Sequence, residues 1–357
     1  PTPYSMGFND NLNVIKGNHS FKFGGEFRPV RMYFDQKGGT TYTFANINAF
    51  LNNQAQQIAF LGDISQPSKF NDGLTGMRQT RQEYYIAYAQ DEWKIRPNLT
   101  FNYGLRYEYY TPMRERNDGA VVFDPGLGVI LPRGTDFYKV SGKNFLPRLA
   151  MAWTPGALGN KTVIRWGFGL NVGPGQGEDQ IQPIESDRVS VTQTGGAFPI
   201  NPQTLIDRFD VANLVGYQPR AYDRGYTLPE RVAQWNVSVQ QELALQTTLT
   251  VAFVGSVGRH LFNRSITNLI TNVATSPTTG AAIITRQFGP QFAEVDVKAT
   301  NGTDSYNAMQ MTLNRRFSSG LIFGSQWTWA HSLGTTAGSN EAQTQSNPFD
   351  LKADYGN

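Results

Sequence analysis

The chain has 357 residues and carries 31 Lys and Arg against 28 Asp and Glu. Its formal charge of +3 is spread along the length without a basic stripe, which argues against nucleic-acid binding. It has no cysteine, so a disulfide framework, a thiolate metal site and a cysteine nucleophile are excluded. Aromatic residues make up 13%, with 23 Phe, 16 Tyr and 36 Gly, a composition that favours one large β structure.

The chain begins Pro1-Thr2-Pro3, without an initiator Met or a signal-peptide pattern, and is expected to be a fragment or a processed chain. Tyr4 to Ile15 alternates weakly, and Lys16-Gly17-Asn18-His19 reads as a tight turn. Phe21, Phe23 and Phe27 then oppose Lys22, Glu26 and Arg28 with period two, the mark of a strand with one wet and one oily face. From 35 to 80 the periodicity is lost, with a short helix expected near Ile47 to Ala59. The stretch Tyr84 to Tyr110 is the clearest element. Leu99, Phe101, Tyr103, Leu105, Tyr107 and Tyr109 alternate with Thr100, Asn102, Gly104, Arg106 and Glu108, and Arg96-Pro97-Asn98 supplies turn chemistry.

A polar stretch runs from Pro112 to about Asn144. Leu149, Met151 and Trp153 lead to a turn at Pro155-Gly156, and Ile164, Trp166, Phe168 and Leu170 return. After an irregular segment to about Arg231, Trp235, Val237, Val239 and Leu243 form a strand. A short break at Leu245-Gln246 precedes Leu249, Val251 and Phe253. A further long segment, Arg259 to Ser305, precedes Met309, Met311 and Leu313. Ser318-Ser319-Gly320 turns the chain, and Phe323, Trp327 and Trp329 follow. The tail from Leu333 to Asn357 is polar and shows no strand pattern.

Short turns alternate with long loops about five times, giving about ten strands. No stretch approaches the ~18 consecutive apolar residues of a membrane helix, but a barrel strand escapes that test because lumen-facing residues interrupt it. The expected fold is all-β: an antiparallel meander of long strands forming part of a transmembrane β-barrel, a curved open sheet in isolation. The external loops are expected at about 35-80, 113-145, 174-231 and 259-305, with the tight turns periplasmic. An open edge in lipid is costly, so the chain alone is not expected to insert as a stable pore. A soluble carbohydrate-binding or hydrolytic β protein remains open on the alternation alone. It requires Phe101, Tyr103, Leu105, Ile164 and Trp166 to be buried against a second sheet.

YAQDEWKIRPNLTFNYGLRYE resembles the barrel hairpin of TonB-dependent outer-membrane receptors, with an acidic-Trp turn and a strand ending Gly-Leu-Arg-Tyr. GNHSFKFGGEFR, LPRLAMAWTP, RWGFGLNVGPG, QWNVSVQQEL with FVGSVGRHL, and SYNAMQMTLNRRFSSGL with WTWAHSLG resemble the Oar-like branch of that family. The resemblance implies an outer-membrane location in a Gram-negative-type bacterium and a barrel of roughly 22 strands around a plug. It implies energised uptake of a scarce small ligand of siderophore, vitamin or glycan type through the TonB-ExbB-ExbD system. Plug, TonB box and a barrel-closing strand are not recognised in this sequence. A surface adhesion barrel without transport is the alternative.

On the strands, Arg106, Glu108, Arg148, Arg165, Gln234, Gln240, Glu242 and Arg316 are expected to face the lumen and satisfy one another across strands. Tyr217, Tyr222 and Tyr226 in the longest loop, and Arg259 with His260 at a loop root, are the candidates for ligand capture. Solvated residues without a special role are the alternative reading for them. His19, His260 and His331 are not grouped at metal-ligand spacing, so neither metal nor triad is expected. Gly173-Pro174-Gly175 lacks the Lys-Ser or Lys-Thr of a phosphate loop. Asp91 and Glu92 are adjacent on a strand, so they point to opposite faces and cannot converge on one bond. No cofactor and no enzymatic activity are expected.

Overall fold

The computed structural model describes residues 2–34, 39–63, 78–175, 177–184, 188–201, 204, 217–244, 246–317, 320–336, 346–347 and 350–356. Ten long strands form the wall. They are β1 (Phe8–Lys16), β2 (His19–Phe34), β3 (Arg78–Arg96), β4 (Leu99–Tyr110) and β5 (Phe145–Trp153). The second half comprises β6 (Thr162–Gly173), β7 (Glu230–Leu243), β8 (Thr247–Thr267), β9 (Val295–Arg316) and β10 (Ile322–Gly334). Each pairs antiparallel with its chain neighbour, so the all-β architecture is a meander.

The turns at one end are tight because the sequence supplies residues that accept them. Gly17, at φ +59°, joins β1 to β2. At the β3–β4 turn, Asn98 donates its side-chain amide to the Thr154 carbonyl at 2.8 Å and so ties that turn to the next one.

Register decides the faces. One row crosses all ten strands through directly paired residues: Asn13, Lys22, Gln90, Gly104, Arg148, Gly169, Gln234, Ser256, Tyr306 and Ser332. Every member is polar or glycine. The opposite face carries the row Trp93, Phe101, Met151, Trp166, Val237, Phe253, Met309 and Trp329. A one-residue slip anywhere would invert this order, so the pattern fixes the pairing.

The oily face is bare. Leu105 is 47% exposed, Phe253 48% and Trp329 70%, and among the described residues no second sheet packs on them. The burial that a soluble β protein requires of Tyr103 and Leu105 is therefore not found. A bare apolar face of this extent suits lipid and not water. Two aromatic bands bound it. Phe8, Phe27, Tyr85 and Tyr109 lie side by side across β1–β4, with ring centroids 5.1 to 6.4 Å apart. Trp93 lies eight residues further along β3, about 26 Å at the usual rise per residue, close to the height of an apolar band in outer-membrane barrels once the strand tilts.

A buried acid, Asp91, interrupts the oily face. Asp91 is 3% exposed; its carboxylate lies 2.6 Å from His19 Nδ1 and accepts the Tyr103 hydroxyl at 2.9 Å. The His19 ring stacks between Phe21 and Trp93, each centroid 5.4 Å away. Asp91 and Glu92 do lie on opposite faces, since Asp91 opposes Tyr103 and Glu92 opposes Asn102. Tyr103→Phe removes one donor from this carboxylate and is expected to destabilise the complete barrel by about 1 to 2 kcal/mol, read as a lower urea midpoint in lipid vesicles. An unchanged midpoint would mean that water replaces the hydroxyl.

Two strand limits differ from the sequence reading. The segment Arg259 to Ser305, expected as a loop, begins and ends in strand, because β8 continues to Thr267 and β9 starts at Val295. Past the lipid a strand keeps its hydrogen bonds but loses the demand for an apolar face, so residues such as Asn263, Arg264, Asp296 and Lys298 erase the alternation. The helix expected near Ile47 to Ala59 is only Ile47–Leu51. Gln54–Asp63 continues as a strand between Gly39–Thr43 and Arg188–Ala197 in a separate three-stranded sheet.

Candidate functional site

The polar face holds a trough of about 650 Å³ across β3 to β9, floored where Gly104, Gly167 and Gly169 leave the backbone uncovered. At Gly104 an added Cβ would meet Gln90 Cβ at 2.7 Å and the Ala89 carbonyl at 3.0 Å, so only glycine fits this floor. Above it, Arg148 donates to Asn171 Oδ1 at 3.1 Å, and Asn171 donates on to Gln234 Oε1 at 3.4 Å. Arg165 donates to Gln240 Oε1 at 2.9 Å. Toward the loops, Arg106 Nε lies 2.5 Å from Glu108 Oε1, and Tyr110 donates to the other Glu108 oxygen.

All eight strand residues singled out in the sequence share this face. Arg165 opposes Ser238, Gln240 opposes Thr250, Glu242 opposes Thr248, and Arg316 opposes Ile322. The structure pairs Arg106 with Glu108 and Arg165 with Gln240. It keeps Glu242 and Arg316 at the turn end, away from the trough.

The loop residues behave otherwise. Tyr222 and Tyr226 are 5% and 4% exposed and form a triangle with Tyr138, with centroids 5.0 to 5.1 Å apart. Tyr138 donates to Gln180 Oε1 at 3.1 Å, and Tyr222 donates to the Gln180 carbonyl. Burial pushes both phenols above their usual range, which keeps them protonated donors. Tyr217 is 5% exposed in a second cluster with Phe123, Phe292, Ile58 and Phe60. These three tyrosines are core residues of a folded loop cap and are not solvated, as the sequence reading had allowed. Arg259 and His260 are exposed; His260 has φ +56° where the β8–β9 register slips, so the bulge projects it from the strand.

The residues that fix the cap to the wall went unnoticed in the sequence. Asn144 is 1% exposed and donates to the Glu108 carbonyl at 2.9 Å and the Ser141 carbonyl at 2.7 Å, while Arg231 donates to its Oδ1 at 3.1 Å. Asn268, fully buried at φ +56°, donates to the carbonyls of Phe292 and Ala293 and accepts from the Phe288 amide at 2.8 Å. At the rim of the cap Arg224 grips both oxygens of Asp124, at 3.1 and 3.3 Å. Burial raises the Asp124 pKa, but Arg224 and the amides of Leu127 and Gly126 outweigh it and hold the carboxyl below its ordinary value. No metal-ligating group of three or more His, Asp or Glu occurs among the described residues.

A meander with a bare oily face, a polar trough behind it and folded loops at one end is the architecture of one wall of a membrane barrel. The family model described as an outer membrane beta barrel domain matches residues 2–357. The chain belongs to this family. As an outer membrane beta barrel domain it lies in the outer membrane, and its fold is similar to that of solved receptors and transporters. The outer membrane transporter YddB from Escherichia coli is 12% identical with a TM-score of 0.58, covering 98% of this chain and 35% of YddB. The siderophore receptor PirA from Acinetobacter baumannii is 12% identical with a TM-score of 0.46, over 91% of this chain and 36% of that one. The ferric enterobactin receptor PfeA from Pseudomonas aeruginosa is 10% identical with a TM-score of 0.48, over 92% and 35%. The beta barrel domain thus spans about a third of the length of each. No curated protein matches its sequence.

Proposed function

We propose that this domain is part of the wall of a TonB-dependent receptor of the Oar-like branch, which takes up a scarce ligand with energy from the TonB-ExbB-ExbD system. The observation that carries the reading is the polar row from Asn13 to Ser332 set against a bare apolar face. A complete barrel of roughly 22 strands closes that row into a lumen. Arg106, Glu108, Arg148, Arg165, Gln234, Gln240, Glu242 and Arg316 then line it, with Arg148 and Gln234 at the trough. Arg259 and His260 stand exposed at the bulge within β8, eight and seven residues before the strand ends at Thr267, where an arriving ligand could meet them.

The test uses the gene for the full-length parent protein. Its deletion is expected to slow growth when iron, cobalamin or an oligosaccharide is limiting, and only in cells with a working TonB. A growth defect of equal size without TonB, or none under any limitation, overturns uptake. The second reading, a surface adhesion barrel, is favoured by one feature: the hairpin Ile270–Thr275 and Ala282–Arg286 stands outside the wall with Ile270, Val273, Ile283 and Ile284 exposed. It predicts loss of attachment on deletion, independent of TonB.

A further inference from the structure

At the outer end, Tyr42, Phe44, Phe50 and Phe198 form a ring cluster. Phe44 meets Phe50 edge-on at 5.1 Å and Phe198 at 5.9 Å; Tyr42 meets Phe198 at 4.8 Å. The cluster is built, not incidental. Tyr42 packs on the core containing Ile58 and Phe60, and its hydroxyl accepts from the Ile200 amide at 3.1 Å. Asn46 caps the helix that carries Phe50, accepting from the Ala49 amide at 2.9 Å, and the Phe198 amide donates to the Asn53 carbonyl at 3.1 Å. So mounted, Phe50 and Phe198 stay 48% and 37% exposed, with centroids 6.4 Å apart and planes tilted by 38°.

The two segments that carry these rings are uniform in chemistry. Residues 39–62 and 189–201 contain no Asp, Glu, Lys, Arg or His. Asn48, Asn53 and Gln54, on or next to the helix that carries Phe50, are exposed. An amide both donates and accepts, as a sugar hydroxyl does. An aromatic face accepts the apolar C–H side of a pyranose ring, whereas a charged ligand would lose hydration here and gain no counter-charge.

We propose that the Phe50–Phe198 platform is a binding site for a neutral oligosaccharide, with successive sugar rings on the two phenyl rings and hydroxyls held by the flanking amides. The proposal deepens the uptake reading by naming the ligand class, and it is tested by binding alone. A receptor that binds sugar but gives no TonB-dependent growth effect keeps the site and loses transport; the reverse result loses only the site.

The experiment measures fluorescence anisotropy of labelled maltohexaose, cellohexaose, xylohexaose and mannohexaose, with hexagalacturonate as the anionic probe, on the full-length receptor in detergent micelles. At least one neutral probe is expected to bind, and hexagalacturonate is not. Phe50→Ala weakens binding about tenfold, the loss of one stacking contact, whereas Phe50→Trp keeps it. Leu321→Ala, at the tight turn before β10 and at the other end of the wall, leaves binding unchanged and serves as the control variant. Competition by phosphatidylcholine vesicles carrying a neutral digalactosyl lipid marks the glycan as membrane-borne; its absence marks a free sugar. The proposal is overturned if no neutral probe binds, if hexagalacturonate binds as well, if Phe50→Ala binds like the parent, or if Phe50→Ala instead dissociates a receptor dimer.

Discussion

Replacing Leu105 with Arg is expected to cost about 2 to 4 kcal/mol in the complete barrel in lipid vesicles. Leu105 lies mid-strand on the oily face, between Ala89 and Pro147 in register, and is 47% exposed toward the region assigned to lipid. A guanidinium there must either enter hydrocarbon or bend toward an interface several residues away. Asn102→Arg introduces the same charge three residues earlier, but on the polar face, where its direct partners are Glu92 and Ala150. Its effect is expected within about 0.5 kcal/mol. Urea unfolding of both variants in the same vesicles makes the comparison. Equal losses would mean that the two faces do not differ in environment, and the assignment of lipid to one of them would fail.

Asn144→Ala is expected to loosen the loop cap without unfolding the wall. The change removes two amide donors and the acceptor used by Arg231, leaving the Glu108 and Ser141 carbonyls unsatisfied in a buried position. Each lost bond at such a site costs on the order of 1 kcal/mol, more where the partner stays buried, so a local loss of about 2 to 4 kcal/mol follows. Hydrogen exchange reads it directly. Amides in 113–143 are expected to exchange about 30- to 1000-fold faster, while those of β6 are unaffected. Unchanged protection in 113–143 would show that the tyrosine cluster alone holds the cap.

What could be read in the sequence is what the surroundings impose with period two. Leu99 to Tyr109 alternates because oil lies on one side and water on the other, so parity alone places Arg106, Arg148, Arg165 and Gln240 on one face. Pro97 and Asn98 mark their turn by backbone chemistry that is local. The loop cap offers no such rule. Tyr222 is buried by Tyr138 and by Gln180, 42 residues away, and nothing near Tyr222 in the chain announces either partner. Asp91 read as one half of an acidic pair at a turn, but its partner is His19, 72 residues earlier. Asn144 acts through backbone carbonyls, which leave no trace in residue identity. Long-range polar contacts of this kind carry the cap, so its tyrosines read as solvated when they are core.

One pairing at the rim has a further consequence. The short strand Arg220–Tyr222 runs parallel to β9 along Asp296 to Lys298, on the edge that β10 occupies lower down, and Ala221 in turn pairs with Phe123. Above the level of β10, along Asp296 to Lys298, the hydrogen-bonding groups of β9 are therefore already engaged by the chain's own loop. A neighbouring barrel that approaches at this height finds no free backbone edge there to extend, so contacts between barrels crowded in one membrane at that point are made through side chains. The loop acts as a selvedge, a finished border that keeps the exposed crown of the sheet from being woven into the next molecule.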